Sequence, residues 1–238
     1  VLHSCSQHDY MLKKIISSTI AFSFATLSLM PTTMVSAHTD KYDDFYELAQ
    51  YEREGRDYQI RSTQRNSDTL IMAIHGGYIE EGTTEAAKET SDIGGYNFYS
   101  FMGTKDDNNF KDLHVTSANF NEPRAIKMAR EATKIVSLHG CVLEEHTPTV
   151  FMGGFDTALG EKIANRLRAN GYRVKDAPVY LNGKCAENIC NKGRTKKGVQ
   201  LELNWALREK LVDSKSECNK FSRSLRDALG VLSSPKES

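Results

Sequence analysis

The sequence predicts an α/β fold, an open, mixed but mostly parallel sheet flanked by helices within a single domain. Three observations carry this reading. Short apolar runs alternate with helical patterns along the chain, turn and cap residues bound most of them, and no internal repeat, low-complexity tract or linker interrupts the alternation.

Taken in order, residues 38–67 are polar and Tyr-rich, and residues 43–54 within them suggest a short helix stopped by Gly55. Residues 68–75 read as a buried strand that ends at His75 and turns on Gly76 and Gly77. A helix starts over 83–89. Residues 96–103 are aromatic and roughly alternating, as in a strand, and 113–118 read as another. Asn121, Glu122 and Pro123 open a helix with a cap and an early proline, and Ala125, Met128, Ala129, Ala132 and Val136 follow at helical spacing. Strands are expected at 136–139 and 148–153. A helix over 157–170 closes on Gly171, a strand follows at 172–177, and 182–198 is a polar loop. The last strand is Val199–Asn204, followed by helices over 205–212 and 216–232.

The chain has 238 residues with 31 basic and 31 acidic side chains. Residues 1–37 are expected to lie outside the fold. Met11, then Lys13 and Lys14, an apolar stretch over 15–30, and Val35-Ser36-Ala37 resemble a secretory leader cut after Ala37, and residues 1–10 precede the start methionine. The apolar stretch is short for a spanning helix and is broken by Ser and Thr, so no stable membrane insertion is expected after cleavage. The remaining 38–238 has the size of one domain and is expected to be secreted and extracellular. Removing 1–37 takes away only Lys13, Lys14 and Asp9, so the remainder stays near neutral. Global charge therefore argues for neither nucleic acid nor a membrane surface. Cys141, Cys185, Cys190 and Cys218 permit three disulfide connectivities, and the short loop favours Cys185 with Cys190.

The chemistry gathers at strand ends. In open α/β sheets ligands bind beyond the carboxyl ends of strands, where His75 and His139 both fall. Zinc accepts imidazole nitrogen and carboxylate oxygen, with three protein ligands in a catalytic site. His75, Glu80 and His139 meet that count, since the Gly76-Gly77 turn lets the backbone bring Glu80 back; Glu81 is its competitor. On the last strand Glu202 shares a face with Gln200 and Asn204. A carboxylate there can take a proton from metal-bound water and pass it to a leaving nitrogen. His114, in LHVTSANF, could be a further ligand or a substrate contact, but is read as structural or peripheral. Lys184, Lys192, Arg194, Lys196 and Lys197 in the loop before Glu202 would favour an anionic substrate. Nucleic acid is disfavoured because no aromatics interleave with these cations.

The segments AIHGGYIEEGTTE, LHVTSANFNEP, SLHG and NICNKGRTKKGVQLEL, spread over residues 73–203, together resemble the poly-γ-glutamate hydrolase family, compact relatives of the zinc carboxypeptidases. The resemblance implies a zinc carboxypeptidase-like sheet, zinc (Zn2+) held by His75, Glu80 and His139, and Glu202 as general base. It implies cleavage of γ-amide links in poly-γ-glutamate, with Asn191, Lys192 and Arg194 where a contact to substrate carboxylate is expected. An endo-acting enzyme is the expectation. Rivals are a peptidase or amidase acting on the γ-D-glutamyl link of peptidoglycan and a non-catalytic, zinc-stabilised polymer-binding protein.

Overall fold

A computed structural model of the protein describes residues 40–144 and 146–230. The leader and its cleavage point lie outside the described residues. The described chain forms seven strands and seven α-helices: α1 (Phe45–Tyr51), β1 (Tyr58–Thr63), β2 (Thr69–Gly77), α2 (Thr83–Gly94), β3 (Asn97–Gly103), α3 (Asn109–Leu113), α4 (Pro123–Glu131), β4 (Lys134–Cys141), β5 (Thr149–Gly154), α5 (Thr157–Ala169), β6 (Arg173–Asp176), β7 (Val199–Asn204), α6 (Trp205–Asp213) and α7 (Lys215–Leu229). No helix among the described residues is long and apolar enough to cross a membrane.

The strands form one sheet in the order β1-β3-β2-β4-β7-β5-β6. The centre, β3-β2-β4-β7, is parallel. β1 runs antiparallel to β3, and β5 runs antiparallel to β7 while pairing parallel with β6. The sheet is therefore mixed, as expected, with its parallel part confined to the middle and one outer pair. The described residues between β4 and β5 contain no helix. A parallel return needs a crossover of a dozen or more residues, so the chain comes back in the opposite direction.

Both faces of the central strands are buried, which is why they read as continuous apolar runs. On one face Ile71, Ala73, Val136, Leu138, Val199, Leu201 and Leu203 pack with Ala86, Leu159, Ile163, Leu207, Phe221 and Leu225 from α2, α5, α6 and α7. On the other, Leu70, Met72, Ile74 and Ile135 pack with Phe45, Leu48, Val115, Phe120, Ala129 and Ile189. Strand alternation puts Gln200, Glu202 and Asn204 on this second face, and all three are buried.

Several local expectations change. β1 was not anticipated because its residues are half-exposed, as suits an edge strand. Residues 113–118 are not a strand. Leu113 ends α3, Val115 fills the second core, and the backbone bonds to side chains instead: His75 reaches the Val115 carbonyl, and Asp40 accepts from the Thr116 amide. α4 stops at Glu131 because the amides of Thr133 and Lys134 both donate to the Asp68 carbonyl and draw the chain into the sheet. Cys141, Cys190 and Cys218 carry free thiols, so the expected Cys185–Cys190 bridge is absent. Cys190 is instead a wholly buried apolar residue of the second core.

Asn204 joins the strand system to its helices. Its Oδ1 accepts from the Leu207 amide, capping α6, and from the Thr149 amide at the start of β5. Its Nδ2 donates to the carbonyls of Glu144 and Thr147. Replacing Asn204 by Ala strands the buried Leu207 and Thr149 amides and frees the part-buried Glu144 and Thr147 carbonyls, and we expect a loss of about 3 kcal/mol, read as a lower urea midpoint at unchanged slope. A midpoint equal to that of the parent protein would refute this role.

Candidate metal and catalytic site

The site is assembled where β2, β4 and β7 end side by side. β2 breaks register with β3 between Ala73 and Gly76, and His75 sits in that irregularity. A side chain at Gly76 would lie 2.1 Å from Thr84 Oγ1 and 2.3 Å from Ser100 Oγ. Gly77 has φ +59, and a Cβ there would lie 2.4 Å from the Gly103 carbonyl. Only two glycines let the chain turn this tightly against β3. The turn closes through the Glu80 amide, which donates to the His75 carbonyl at 2.9 Å. Glu80 thereby returns to the strand end and is buried, whereas Glu81 is exposed.

β4 delivers His139, which stands in register with Glu202 of β7. His75 Nδ1 lies 3.3 Å from Glu80 Oε1 and 3.1 Å from His139 Nδ1, and His139 Nδ1 lies 3.8 Å from Glu80 Oε2. Donors around a tetrahedral zinc at its usual bond lengths are about 3.4 Å apart. The three expected ligand residues are therefore brought together at a spacing that fits the ion. A third imidazole lies beside them. His114 stacks on His75 with ring centroids 4.0 Å apart, and His75, Glu80 and His114 can each present a ligand atom within 4.8 Å of the others. The reading of His114 as peripheral is thus corrected. Its place among apolar residues in the segment LHVTSANF was the available signal.

Each histidine has one ring nitrogen held by a protein oxygen, an arrangement that orients metal-binding imidazoles. His75 Nε2 meets the Val115 carbonyl at 2.8 Å, His139 Nε2 meets Ser137 Oγ at 2.8 Å, and His114 Nδ1 meets Asp40 Oδ1 at 2.6 Å. A carbonyl only accepts, so His75 carries its proton on Nε2 and directs Nδ1 at the cluster.

Burial opposes charge on all of these groups. At Glu80 it is outweighed by the His75 imidazole, and the carboxyl falls to about 2. At His75 burial is in turn outweighed by Glu80, and the imidazole rises. His139 falls to about 3 and His114 also falls, through burial first and repulsion from His75 second. Glu202 rises well above the usual carboxylate range, through burial first and the nearby Glu80 second. The cluster thus sets a carboxylate beside His75, whose proton affinity it raises, and two imidazoles, His114 and His139, kept neutral, a donor set suited to a cation.

Glu80 Oε2 also accepts from the Gly140 amide at 2.7 Å. Beside it lies Arg208, which no local pattern revealed because α6 gives no sign of a buried face at that position. Its Nη1 donates to the Glu81 carbonyl and its Nε to the Leu203 carbonyl, so it clamps the Glu80 turn onto the end of β7. Its guanidinium also stacks over Trp205.

The expected substrate contacts fare differently. Asn191 is buried, and its amide is spent on the loop: Nδ2 donates to the Gly183 and Cys185 carbonyls, and Oδ1 accepts from the Gly198 and Phe155 amides. It organises the loop and has no donor to offer a substrate. Arg194 is exposed, and its amide is tied to the Ala132 carbonyl just before β4, at the opposite end of that strand from His139. Lys192 is half-buried near Arg130 in the same loop. The structure does not bring these two cations to the metal cluster.

Gly140 is where packing and site meet. A Cβ there would lie 2.7 Å from Arg208 Nε and 2.9 Å from Glu80 Cβ. Gly140→Ala should displace Glu80 and weaken zinc binding at least about 10-fold, in the range found for residues that orient ligands. Competition against a metal buffer measures this, and parental zinc affinity would contradict it.

A family model described as poly-gamma-glutamate hydrolase matches residues 42–228. The UPF0714 protein YndL of Bacillus subtilis (strain 168) is 34% identical over 219 residues, covering 89% of this chain and 83% of its own. The UPF0714 protein YmaC of the same organism is 36% identical over 181 residues, covering 75% and 74%. Among solved structures, a bacteriophage poly-gamma-glutamate hydrolase aligns with TM-score 0.76 at 29% identity, covering 80% of this chain and 97% of the other. The zinc-free apo form of YndL aligns with TM-score 0.74 at 31% identity, covering 80% and 98%.

Proposed function

The chain belongs to the poly-gamma-glutamate hydrolase family, and from that premise we propose that it is a zinc-dependent enzyme cutting the γ-glutamyl amide bonds of poly-γ-glutamate internally, outside the cell. The observation that carries the chemistry is the register of His139 with Glu202, which sets a buried carboxylate beside the donor cluster. The zinc-free description of the YndL structure supports zinc as the metal.

His75, Glu80 and His139 would hold the ion. His75 and His139 project from adjacent strands of the sheet, which position ligands more rigidly than a loop does, and their Nδ1 atoms and the Glu80 carboxylate face one another. His114 comes from the segment after α3. Fixed by Asp40 and stacked on His75, it would brace the His75 ring and border the substrate space. Bound zinc supplies a Lewis acid that polarises the scissile carbonyl and makes water a better nucleophile at neutral pH.

Glu202 handles the proton. Its Oε1 is engaged by Gln200, and Oε2 makes no hydrogen bond among the described residues. Oε2 accepts a proton as water oxygen bonds to the amide carbon, and the same proton passes to the nitrogen as the C–N bond breaks. A raised proton affinity suits that second transfer. Lys192 and Arg194, without ion pairs among the described residues, would attract the polyanion along its length rather than at the scissile bond. The leader-like segment before residue 38 supports export towards an extracellular polymer.

The test is gel filtration of long poly-γ-glutamate after incubation with the purified protein. We expect mid-length fragments with zinc, none with a chelator, and a far-UV spectrum unchanged by the chelator. Glu202→Gln should lower kcat about 1,000-fold. Zinc content should be lost in His139→Ala and kept in His114→Ala; the reverse result would exchange the two histidines' roles. Intact polymer with zinc confirmed bound would sink this reading in favour of peptidoglycan peptides, and unfolding by the chelator would favour a structural metal.

A further inference from the structure

We infer that Gln200 and Asn188 are a positioning pair that fixes the orientation of the Glu202 carboxylate, an inference that rests on the reading of Glu202 as the proton-transfer group. All three side chains are buried, at 4%, 5% and 3% exposure. Gln200 Nε2 donates to Glu202 Oε1 at 2.7 Å and to the Leu181 carbonyl at 3.0 Å. Asn188 Nδ2 donates to Gln200 Oε1 at 2.8 Å, and Asn188 Oδ1 accepts from the Cys190 amide at 3.0 Å.

Backbone groups at the two ends of this chain settle which way each amide faces. The Cys190 N–H can only donate, so Asn188 must turn its oxygen to it and its NH2 to Gln200. The Leu181 carbonyl can only accept, so Gln200 must turn its NH2 to it and its oxygen to Asn188. Gln200 Nε2 has two hydrogens. One goes to Leu181, and the other has a single remaining acceptor, Glu202 Oε1. Flipping the Gln200 amide would set oxygen against oxygen at Leu181 and NH2 against NH2 at Asn188, leaving buried groups unmade at both.

Glu202 therefore meets a donor that cannot rotate away. With Oε1 held, the carboxylate plane is fixed and Oε2 is kept available in one direction. A proton acceptor needs this, because a displacement of about 1 Å in a reacting group can cost about 100-fold in rate. The pair is itself rigidly mounted. Gln200 stands on β7, two residues before Glu202, and Asn188 precedes a 3-10 turn (Ile189–Asn191) whose Ile189 amide bonds to the Ser117 carbonyl. Through Asn188, the 182–198 loop thus acts on the reaction by way of the base.

The test uses the full zinc-loaded protein and the variants Gln200→Met, Asn188→Ala and their combination, with Glu202→Gln alongside. Gln200→Met keeps the side-chain length and removes both donors. We expect kcat per zinc-loaded molecule to fall about 30-fold in Gln200→Met and about 5-fold in Asn188→Ala, with KM and zinc stoichiometry within about 2-fold of the parent. Because Asn188 acts through Gln200, the double variant should be no slower than Gln200→Met alone. A purely structural role would instead lower zinc content and melting temperature with kcat, or multiply the two losses. Either result overturns the inference, as does a parental kcat in Gln200→Met. Should Gln200→Met not fold, the unchanged KM and zinc content of Asn188→Ala with a lowered kcat still decide it. If Glu202→Gln is dead while Gln200→Met is fully active, only this inference fails. If the parent cleaves no polymer, the reading of Glu202 falls and takes this inference with it.

Discussion

Glu80 is a carboxylate buried at the carboxyl end of a parallel sheet, and the geometry around it is what makes that burial tolerable. One oxygen faces the His75 imidazole and the other takes the Gly140 amide. An isolated buried charge would cost far more than the fold's net stability, so it persists only where opposite charge and donors converge. The convergence constrains everything nearby. It demands the double-glycine turn that returns Glu80, a glycine at 140 so that β4 can approach it, and the Arg208 clamp that holds its loop against β7. It also raises the proton affinity of His75, while burial and repulsion from His75 lower those of His139 and His114.

Strand direction does the rest. β2, β4 and β7 are parallel neighbours, so their last residues arrive at one edge of the sheet. Had β7 run antiparallel to β4, as its other neighbour β5 runs to it, Glu202 would still point to the same face but from a strand ending elsewhere. The alternation along β7 then divides labour cleanly. Val199, Leu201 and Leu203 build one core, while Gln200, Glu202 and Asn204 place a buried carboxylate and a helix cap on the other side. A strand with three consecutive same-face polar residues inside a protein is costly unless every one is hydrogen-bonded, and here every one is.

The polar loop before β7 illustrates how a charge-rich segment can mislead. Its lysines and arginine drew attention as a grip for carboxylates, yet the residues in closest touch with the site are its uncharged amides. Asn191 closes the loop on itself, and Asn188 reaches Gln200. Cations stay at the solvent edge because desolvating them without partners is expensive, whereas an amide can be buried once its donors and acceptor are met.

Much of this protein was legible in the sequence alone. Apolar periodicity and turn residues located the central strands, and β7 matches its expected limits. The rules that ligands gather at strand ends and that Gly-Gly permits a tight return singled out His75, Glu80 and His139, and strand parity put Glu202 on a polar face. These features are local or obey a fixed period, so one dimension suffices to read them. Tertiary structure alone decided the rest. The edge strand β1 lacked a hydrophobic pattern, and the direction of β5 depended on β7, which follows it by many residues. His114 entered the cluster through Asp40 and a stacking contact, Arg208 by lying across two distant carbonyls, and Cys190 by filling a core instead of pairing. Each of these depends on partners far apart in sequence, chosen by the need to satisfy buried polar groups and fill space, and no local pattern encodes such a choice.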